Sequence, residues 1–305
     1  MPGRLGKALM IVTERPIVRK MFTETRPGRA LAARFVAGES LDEAITVAKR
    51  LNAEGFSVSL DHLGEHVEDA AAVAAARDDY LAALDEIGDS GLDANVSVKL
   101  TQLGLGLSDG LVAESLAALA RRAQAVGTTV TVDMEESAYT AATIDLYSAA
   151  QADHGNLGVA VQAYLRRTAS DLERIIPLGG HIRLCKGAYL EAEGVAFQQQ
   201  EEVDESYDRL LTVLMAAESV RPAIASHDDD RIAHARRLAE RRPGNYEFQM
   251  LYGVRGPLQR DLVARGYPVR VYVPYGVAWY PYLTRRLAER PGNLRFFLRA
   301  AAGRR

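Results

Sequence analysis

Eight short runs rich in Val, Ile and other strand formers recur along this 305-residue chain, at 56–61, 95–100, 128–133, 157–162, 181–185, 222–226, 246–250 and 268–273. Alanine- and leucine-rich stretches with helical spacing lie between them, among them 67–87, 111–126, 137–151, 195–219, 230–241 and 279–289. Most of the short runs read as strands buried on both faces, and such strands alternating with helices call for a parallel sheet. Eight alternations over about 250 residues are what a (β/α)8 barrel requires, so the expected fold is an α/β TIM barrel. A doubly wound sheet is the structural alternative, but no Gly-x-Gly-x-x-Gly follows the first strand, and its dinucleotide version then lacks a phosphate cradle.

Residues 1–54 read as a helical arm that packs on a barrel formed by 55–305, the whole being one structural domain. Ser40-Leu41-Asp42-Glu43 has the pattern of a capping box ahead of Leu41, Ala44, Ile45, Ala48 and Leu51 on one helical face. Gly55 closes that helix, while Pro16 and Pro27-Gly28 break the earlier arm into shorter pieces. With 48% hydrophobic residues the chain can bury a large core, and its net charge of −3 argues against a nucleic-acid partner, which needs a concentrated basic surface. The single cysteine, Cys185, excludes an internal disulfide and a cysteine metal cage, and it reads as a small buried filler. Neither an export signal nor a run of about 18 apolar residues appears, so the expected location is the cytoplasm.

The active site of such a barrel lies at the C-terminal ends of its strands. Reading around the ring, those ends carry Asp61 and Glu65, Lys99, Asp133 with Glu135 and Glu136, Gln162, Arg183 with Lys186, Ser226 with His227, Gln249, and Tyr272. Ordinary charged loops also decorate such a rim, but Arg183 interrupts a strand, and an unpaired buried guanidinium costs several kcal/mol. Its partner is expected to be strongly polar, a ligand included. On the last helix, Tyr282 and Arg285 are three residues apart and Arg286 follows Tyr282 at i+4. Two neighbouring guanidiniums suit a bound carboxylate, although a solvated basic face gives the same pattern. His62, His66 and Glu65 lack a further clear ligand, so no metal is expected. Trp279, Tyr280 and Tyr282 can stack on a planar cofactor or pack the base of their helix.

Seven segments in register resemble the proline dehydrogenase family, both its small bacterial enzymes and the matching domain of bifunctional proline-utilisation proteins. They are Val96-Ser97-Val98-Lys99-Leu100, Val132-Asp133-Met134-Glu135-Glu136, Val161-Gln162-Ala163-Tyr164, Arg183-Leu184-Cys185-Lys186-Gly187-Ala188-Tyr189, Ser226-His227, Tyr246-Glu247-Phe248-Gln249-Met250 and Tyr282-Leu283-Thr284-Arg285-Arg286. The resemblance implies a distorted (β/α)8 barrel that holds FAD without a Rossmann domain. It places Arg183 near the reactive flavin nitrogen, where a fixed positive charge favours hydride acceptance. It further gives Gln162 a bond to the flavin ring, Met134 a flavin contact, Lys186, Gly187 and Ala188 the phosphates and ribityl chain, and Ser226 and His227 the adenosine half.

The same resemblance puts the carboxylate of L-proline between Arg285 and Arg286 with Lys99 assisting, lets Tyr272 and Tyr282 shape the slot for the ring, and has Asp133 organise the polar network. Glu65 matches a family glutamate that pairs with the first arginine of the last helix, here Arg285, when the site closes. The implied reaction is hydride transfer from proline C5 to flavin, giving pyrroline-5-carboxylate, with electrons passed to a membrane quinone and a pyrroline-5-carboxylate dehydrogenase as the enzyme that takes the product. A hydroxyproline-specific branch lacks the tyrosine that Tyr272 matches. Cys185 departs from the valine of many relatives, and the stretch 273–279 differs from the bifunctional proteins. The tail around Leu294-Arg295-Phe296-Phe297-Leu298-Arg299 either caps the barrel or makes peripheral contact with an anionic bilayer. From the residues alone, a Schiff-base aldolase using Lys99 or Lys186 and a non-catalytic carboxylate-binding barrel remain as competing readings.

Overall fold

A computed structural model of the chain describes residue 22, residues 25–242 and residues 244–289, the side chains of residue 27 and of 285–289 excepted. Its centre is a closed barrel of eight parallel strands in sequential order: β1 (Ser57–His62), β2 (Ala94–Val98), β3 (Val130–Val132), β4 (Leu157–Gln162), β5 (His181–Cys185), β6 (Arg221–Ala225), β7 (Glu247–Leu251) and β8 (Val269–Tyr275). The ring closes where β1 pairs with β8, Ser59 opposite Tyr272. Helices α1 (Arg26–Ala32) and α2 (Leu41–Ala53) precede the barrel. Between strands run α3 (Ala70–Asp89), α4 (Asp109–Ala125), α5 (Ser137–His154), α6 (Thr168–Ile175), α7 (Gln200–Ala216), α8 (Asp229–Ala239) and α9 (Gly256–Ala264), and α10 (Trp279–Glu289) follows the last strand.

The sequence pattern explains the outer layer of this architecture. Val58, Leu60, Val96, Val98, Val130, Val132, Ile182, Leu184, Ile224, Val271 and Val273 are sealed from water and belong to one continuous core with the apolar stripes of the surrounding helices. Burying each such side chain contributes about 1.5–3 kcal/mol. The alternate positions of the same strands are also buried but polar: Ser59, Asp61, Asn95, Ser97, Thr131, Arg183, Glu247, Gln249 and Arg270. Since successive side chains of a strand point to opposite faces, these residues line the inside of the barrel, which bulky aliphatics usually fill. The strands are thus buried on both faces, as their apolar runs imply, yet only one face is oily.

The arm follows its capping signals. Ser40 Oγ accepts from the Glu43 N–H at 3.3 Å and the Glu43 carboxylate accepts from the Ser40 N–H at 3.1 Å, the reciprocal pair of a capping box. Ala44, Ile45, Ala48 and Leu51 of α2 enter the main core beside Val58 and Leu60. A second apolar cluster ties α1 to α10, with Phe22, Leu31, Phe35 and Val36 against Leu63, Trp279, Tyr282 and Leu283.

Two helix starts differ from the apolar spacing. Helix α3 begins at Ala70, not at 67, because Asp69 caps it and the Val67 N–H is drawn to Thr101 O at the rim. Helix α7 begins at Gln200, not at 195, because Ala196 bridges to Leu165 and the Phe197 N–H donates to Tyr164 O, which holds this apolar stretch as an extended loop. No described helix is long and apolar enough to cross a membrane.

Candidate active site

At the upper end of the barrel the inward side chains form one charged network. Lys99, the residue after β2, places its Nζ 2.9 Å from Asp61 Oδ1 of β1 and 3.9 Å from Asp133 Oδ2, just past β3. Asp133 accepts from Ser97 Oγ at 2.8 Å and from the Tyr272 hydroxyl at 2.7 Å, and it is paired with Arg183 Nη1. Arg183 spans the barrel from β5: Nη1 also donates to Ser97 Oγ at 3.0 Å, and Nε donates to Gln249 Oε1 at 2.5 Å. Its guanidinium lies 5.1 Å from the centre of the Tyr272 ring, within cation–π range.

With Arg183 4% and Lys99 7% exposed, both cations carry a dehydration cost that their surroundings must offset. Burial pulls the Lys99 ammonium toward neutrality, but Asp61 and Asp133 outweigh it and hold its pKa above the usual lysine value. For Arg183 burial is likewise outweighed, chiefly by Asp133. Burial and the Asp133 charge both drive the Tyr272 phenol well above its ordinary range, so it stays protonated and donates. Burial also raises Glu135, against which the hydroxyl and N–H of Thr101 act as donors. A lysine that stays this firmly protonated is the reverse of a Schiff-base nucleophile. Lys186 is paired with two carboxylates, 2.5 Å from Asp204 and 2.7 Å from Asp228.

Several buried polar atoms have no partner among the described residues. Three of them border this network: Asp61 Oδ2, Gln162 Oε1 and Arg183 Nη2. Each unsatisfied group costs about 1–3 kcal/mol, so a ligand that supplies partners recovers that amount.

A family model described as proline dehydrogenase matches residues 44–299. The chain belongs to the proline dehydrogenase family. It is 37% identical to proline dehydrogenase 1 of Bacillus subtilis subsp. natto over 281 residues, 91% of this chain and 93% of that one. To the proline dehydrogenase of Deinococcus radiodurans it is 34% identical over 298 residues, 95% of each. Among solved structures, proline utilization A of Bdellovibrio bacteriovorus superposes with a TM-score of 0.80 at 26% identity, covering 86% of this chain and 33% of that larger one. The chain therefore spans about a third of that proline-utilisation protein.

Within this proline dehydrogenase barrel, Gln162 ends β4 beside Cys185 of β5, and its Nε2 donates to Met134 O at 3.2 Å. That bond fixes the amide with Oε1 as the open acceptor. Gly187 has φ +126°, and a side chain there would collide with the Tyr164 ring, so Tyr164 is the close neighbour that demands glycine among the described residues. Ala188 is exposed in the loop that leaves β5. Ser226 Oγ accepts from the Asp228 N–H at 3.1 Å, and His227 Nε2 accepts from the Leu251 N–H at 3.0 Å, which leaves the ring proton on Nδ1. Glu65 is half-buried in the loop after β1, close enough to Lys99 and Glu135 to act on the charge of both.

Tyr282 is buried in the cluster that joins α10 to the arm. Trp279 and Tyr280 belong to the same seam: the Trp279 indole donates to Glu39 Oε1 at 2.8 Å, and the Tyr280 ring meets Phe22 edge-on at 5.8 Å. Arg285 and Arg286 fall within α10, but their side chains lie outside the described residues, as do the arginine-flanked tail and the start of the arm. Sequence reasoning gave no role to Ser97 or to the Lys99–Asp61 pair, and it placed Gln249 on the rim without a partner. Alternation was the available signal, since Ser97 and Lys99, like Asp61 and Ser59, are two residues apart on one strand face.

Proposed function

We propose that this chain oxidises L-proline to pyrroline-5-carboxylate with FAD as its cofactor and a quinone as the final electron acceptor, a first step of proline catabolism. The observation that carries the reading is the buried Arg183, held by three partners and left with Nη2 open, while Gln162 Oε1 is left open two residues further along the neighbouring strand. An open donor and an open acceptor on neighbouring strands at the same end of the barrel suit a heteroaromatic ring that carries both acceptor nitrogens and a ring N–H, so the residues present fit a flavin. Bound there, FAD supplies the acceptor for the hydride that leaves proline C5.

The chain's own residues do the rest. Arg183 supplies a positive charge that needs no reorganisation, which favours electron uptake by a ring lying against it. Met134, Lys186, Gly187, Ala188, Ser226 and His227 are the further FAD contacts in this reading. Lys99, kept protonated by Asp61, offers its ammonium to the substrate carboxylate together with Arg285 and Arg286. Tyr272 and Tyr282 bound the slot for the proline ring, and Asp133 holds Tyr272, Lys99 and Arg183 in one arrangement. Loss of hydride from C5 leaves a C=N bond built from the nitrogen lone pair, so the amine reacts in its deprotonated form. Closing Glu65 onto Arg285 keeps water from the reacting carbon. A tyrosine at 272, absent from the hydroxyproline branch, supports unsubstituted proline as the substrate, and a pyrroline-5-carboxylate dehydrogenase is the partner that consumes the product.

The test is turnover of L-proline with a soluble quinone analogue, following pyrroline-5-carboxylate and quinone loss together. One-to-one stoichiometry is expected, with KM for proline raised about 10- to 100-fold in Arg286→Ala. Product formation without quinone loss, or no product with FAD present, contradicts the reading.

A further inference from the structure

Below the site, the interior of the barrel carries a second set of charges linked to the first by one side chain. Glu247 of β7, 4% exposed, accepts from Arg270 Nε of β8 at 2.8 Å and from Arg221 Nη2 of β6 at 2.8 Å. It also accepts, through Oε1, from Gln249 Nε2 at 2.6 Å. Gln249 stands two residues further along β7, so both side chains face the axis. Its other end, Oε1, is the acceptor for Arg183 Nε.

A glutamine amide can present either end to a neighbour, and the two ends have opposite polarity. Against Arg183 only the carbonyl oxygen is tolerable, because an NH2 group would face an N–H. At the Arg183 end this preference rests on the single hydrogen bond from Nε, because Asp133 and Ser97 accept from Nη1. At the far end, a carboxylate that can only accept hydrogen bonds compels the NH2 to turn toward it. Glu247 itself has no freedom, because two arginines pin its oxygens.

We propose that Glu247 is a positioning residue for the proline dehydrogenase reaction: by accepting from Gln249 it forces the Gln249 carbonyl onto Arg183 Nε, and so fixes the plane of the guanidinium that aims Nη2 at the flavin. The proposal rests on the reading of Arg183 as the flavin-facing cation. Asp133 holds Nη1 and Gln249 holds Nε, two points that define the guanidinium plane, and Nη2 is the remaining nitrogen, without a partner among the described residues. Losing the Gln249 contact leaves Asp133 and Ser97 together at Nη1, about which the plane can turn.

The experiment is a double-mutant cycle on the FAD-loaded enzyme, reading the midpoint potential of the bound flavin, its dissociation constant, and kcat and KM for L-proline. Glu247→Gln and Gln249→Leu are each made in the wild type and in Arg183→Met. Both are expected to lower the midpoint potential and kcat, kcat by about tenfold, with KM for proline within about twofold of wild type. In the Arg183→Met background neither should have a further effect on potential, because the group they act through is gone. Gln249→Leu leaves Glu247 and its two arginines intact, so it reads the linkage even where Glu247→Gln does not fold. An unchanged potential in Gln249→Leu, or equal shifts with and without Arg183, overturns the positioning role and leaves Glu247 as a counter-ion alone. If Arg183→Met by itself leaves the potential unchanged, the placement of Arg183 at the flavin has failed, and the proposal with it.

Discussion

On the outer face of the barrel, Val98, Val132, Leu184 and Ile224 meet the surrounding helices with no polar atom to satisfy; on the inner face, one residue away from the first three, Lys99, Asp133 and Arg183 belong to a network of charges. The outer contacts stabilise the fold simply by leaving water. The inner ones require several charged groups to be dehydrated, each at a cost of several kcal/mol, and recover this only through close pairing. Because an aliphatic interior of equal volume is often as stable or more so, the polar interior is best understood as machinery carried by a fold that the outer layer secures. Changes on the two faces should therefore separate: inner substitutions alter chemistry, outer ones alter stability.

The sharpest way to break that division is Arg183→Met. Turnover with L-proline is expected to fall about 100- to 1000-fold while the far-UV spectrum and a cooperative thermal transition are kept. Loss of the transition itself would mean that Arg183 belongs to the fold. The reciprocal change is Ile224→Ala, on the outer face of β6, which should cost about 2–5 kcal/mol in a denaturant titration and leave kcat and KM near wild type below its melting point.

Smaller effects refine the comparison. Tyr272→Phe removes one donor to Asp133 but keeps the ring against Arg183, so about 1 kcal/mol of stability and a modest part of kcat should be lost. The barrel floor adds a pH effect. Burial acts to raise the Glu247 pKa, but Arg270 and Arg221 outweigh it and hold it at about 2, below its ordinary value of 4.5. A carboxylate depressed in the folded state adds stability that is complete above about pH 4.5 and is lost as pH falls toward 2. Urea midpoints across that window should fall with acidification in the wild type and fall less steeply in Glu247→Gln. Parallel curves would show that Glu247 is not held ionised by its arginines.

The difference between the faces also decides how much could be read from sequence. All eight strands were legible because their outward residues are aliphatic, and α2 was legible because a capping box depends on residues three apart. Arg183 was conspicuous as an interruption in an apolar run. Its partners were not: Ser97 is 86 residues away and Gln249 66 residues away, both are neutral, and neither disturbs the pattern of its own strand. The strongly polar partners expected for Arg183 are found in Asp133, Ser97 and Gln249, and of its three nitrogens only Nη2 is without a partner among the described residues. Trp279 and Tyr280 illustrate the converse. Their aromatic character suits a cofactor as well as a core, and only the tertiary packing of α10 on the arm shows them in a structural seam.

The central claim, that the polar interior serves a flavin that proline reduces, is tested most directly by an anaerobic visible absorption spectrum of the FAD-loaded protein before and after L-proline. The account predicts a flavin band that bleaches on adding proline in the wild type and bleaches far more slowly in Arg183→Met. A protein that takes up no FAD, or a band that proline leaves unchanged, would contradict it.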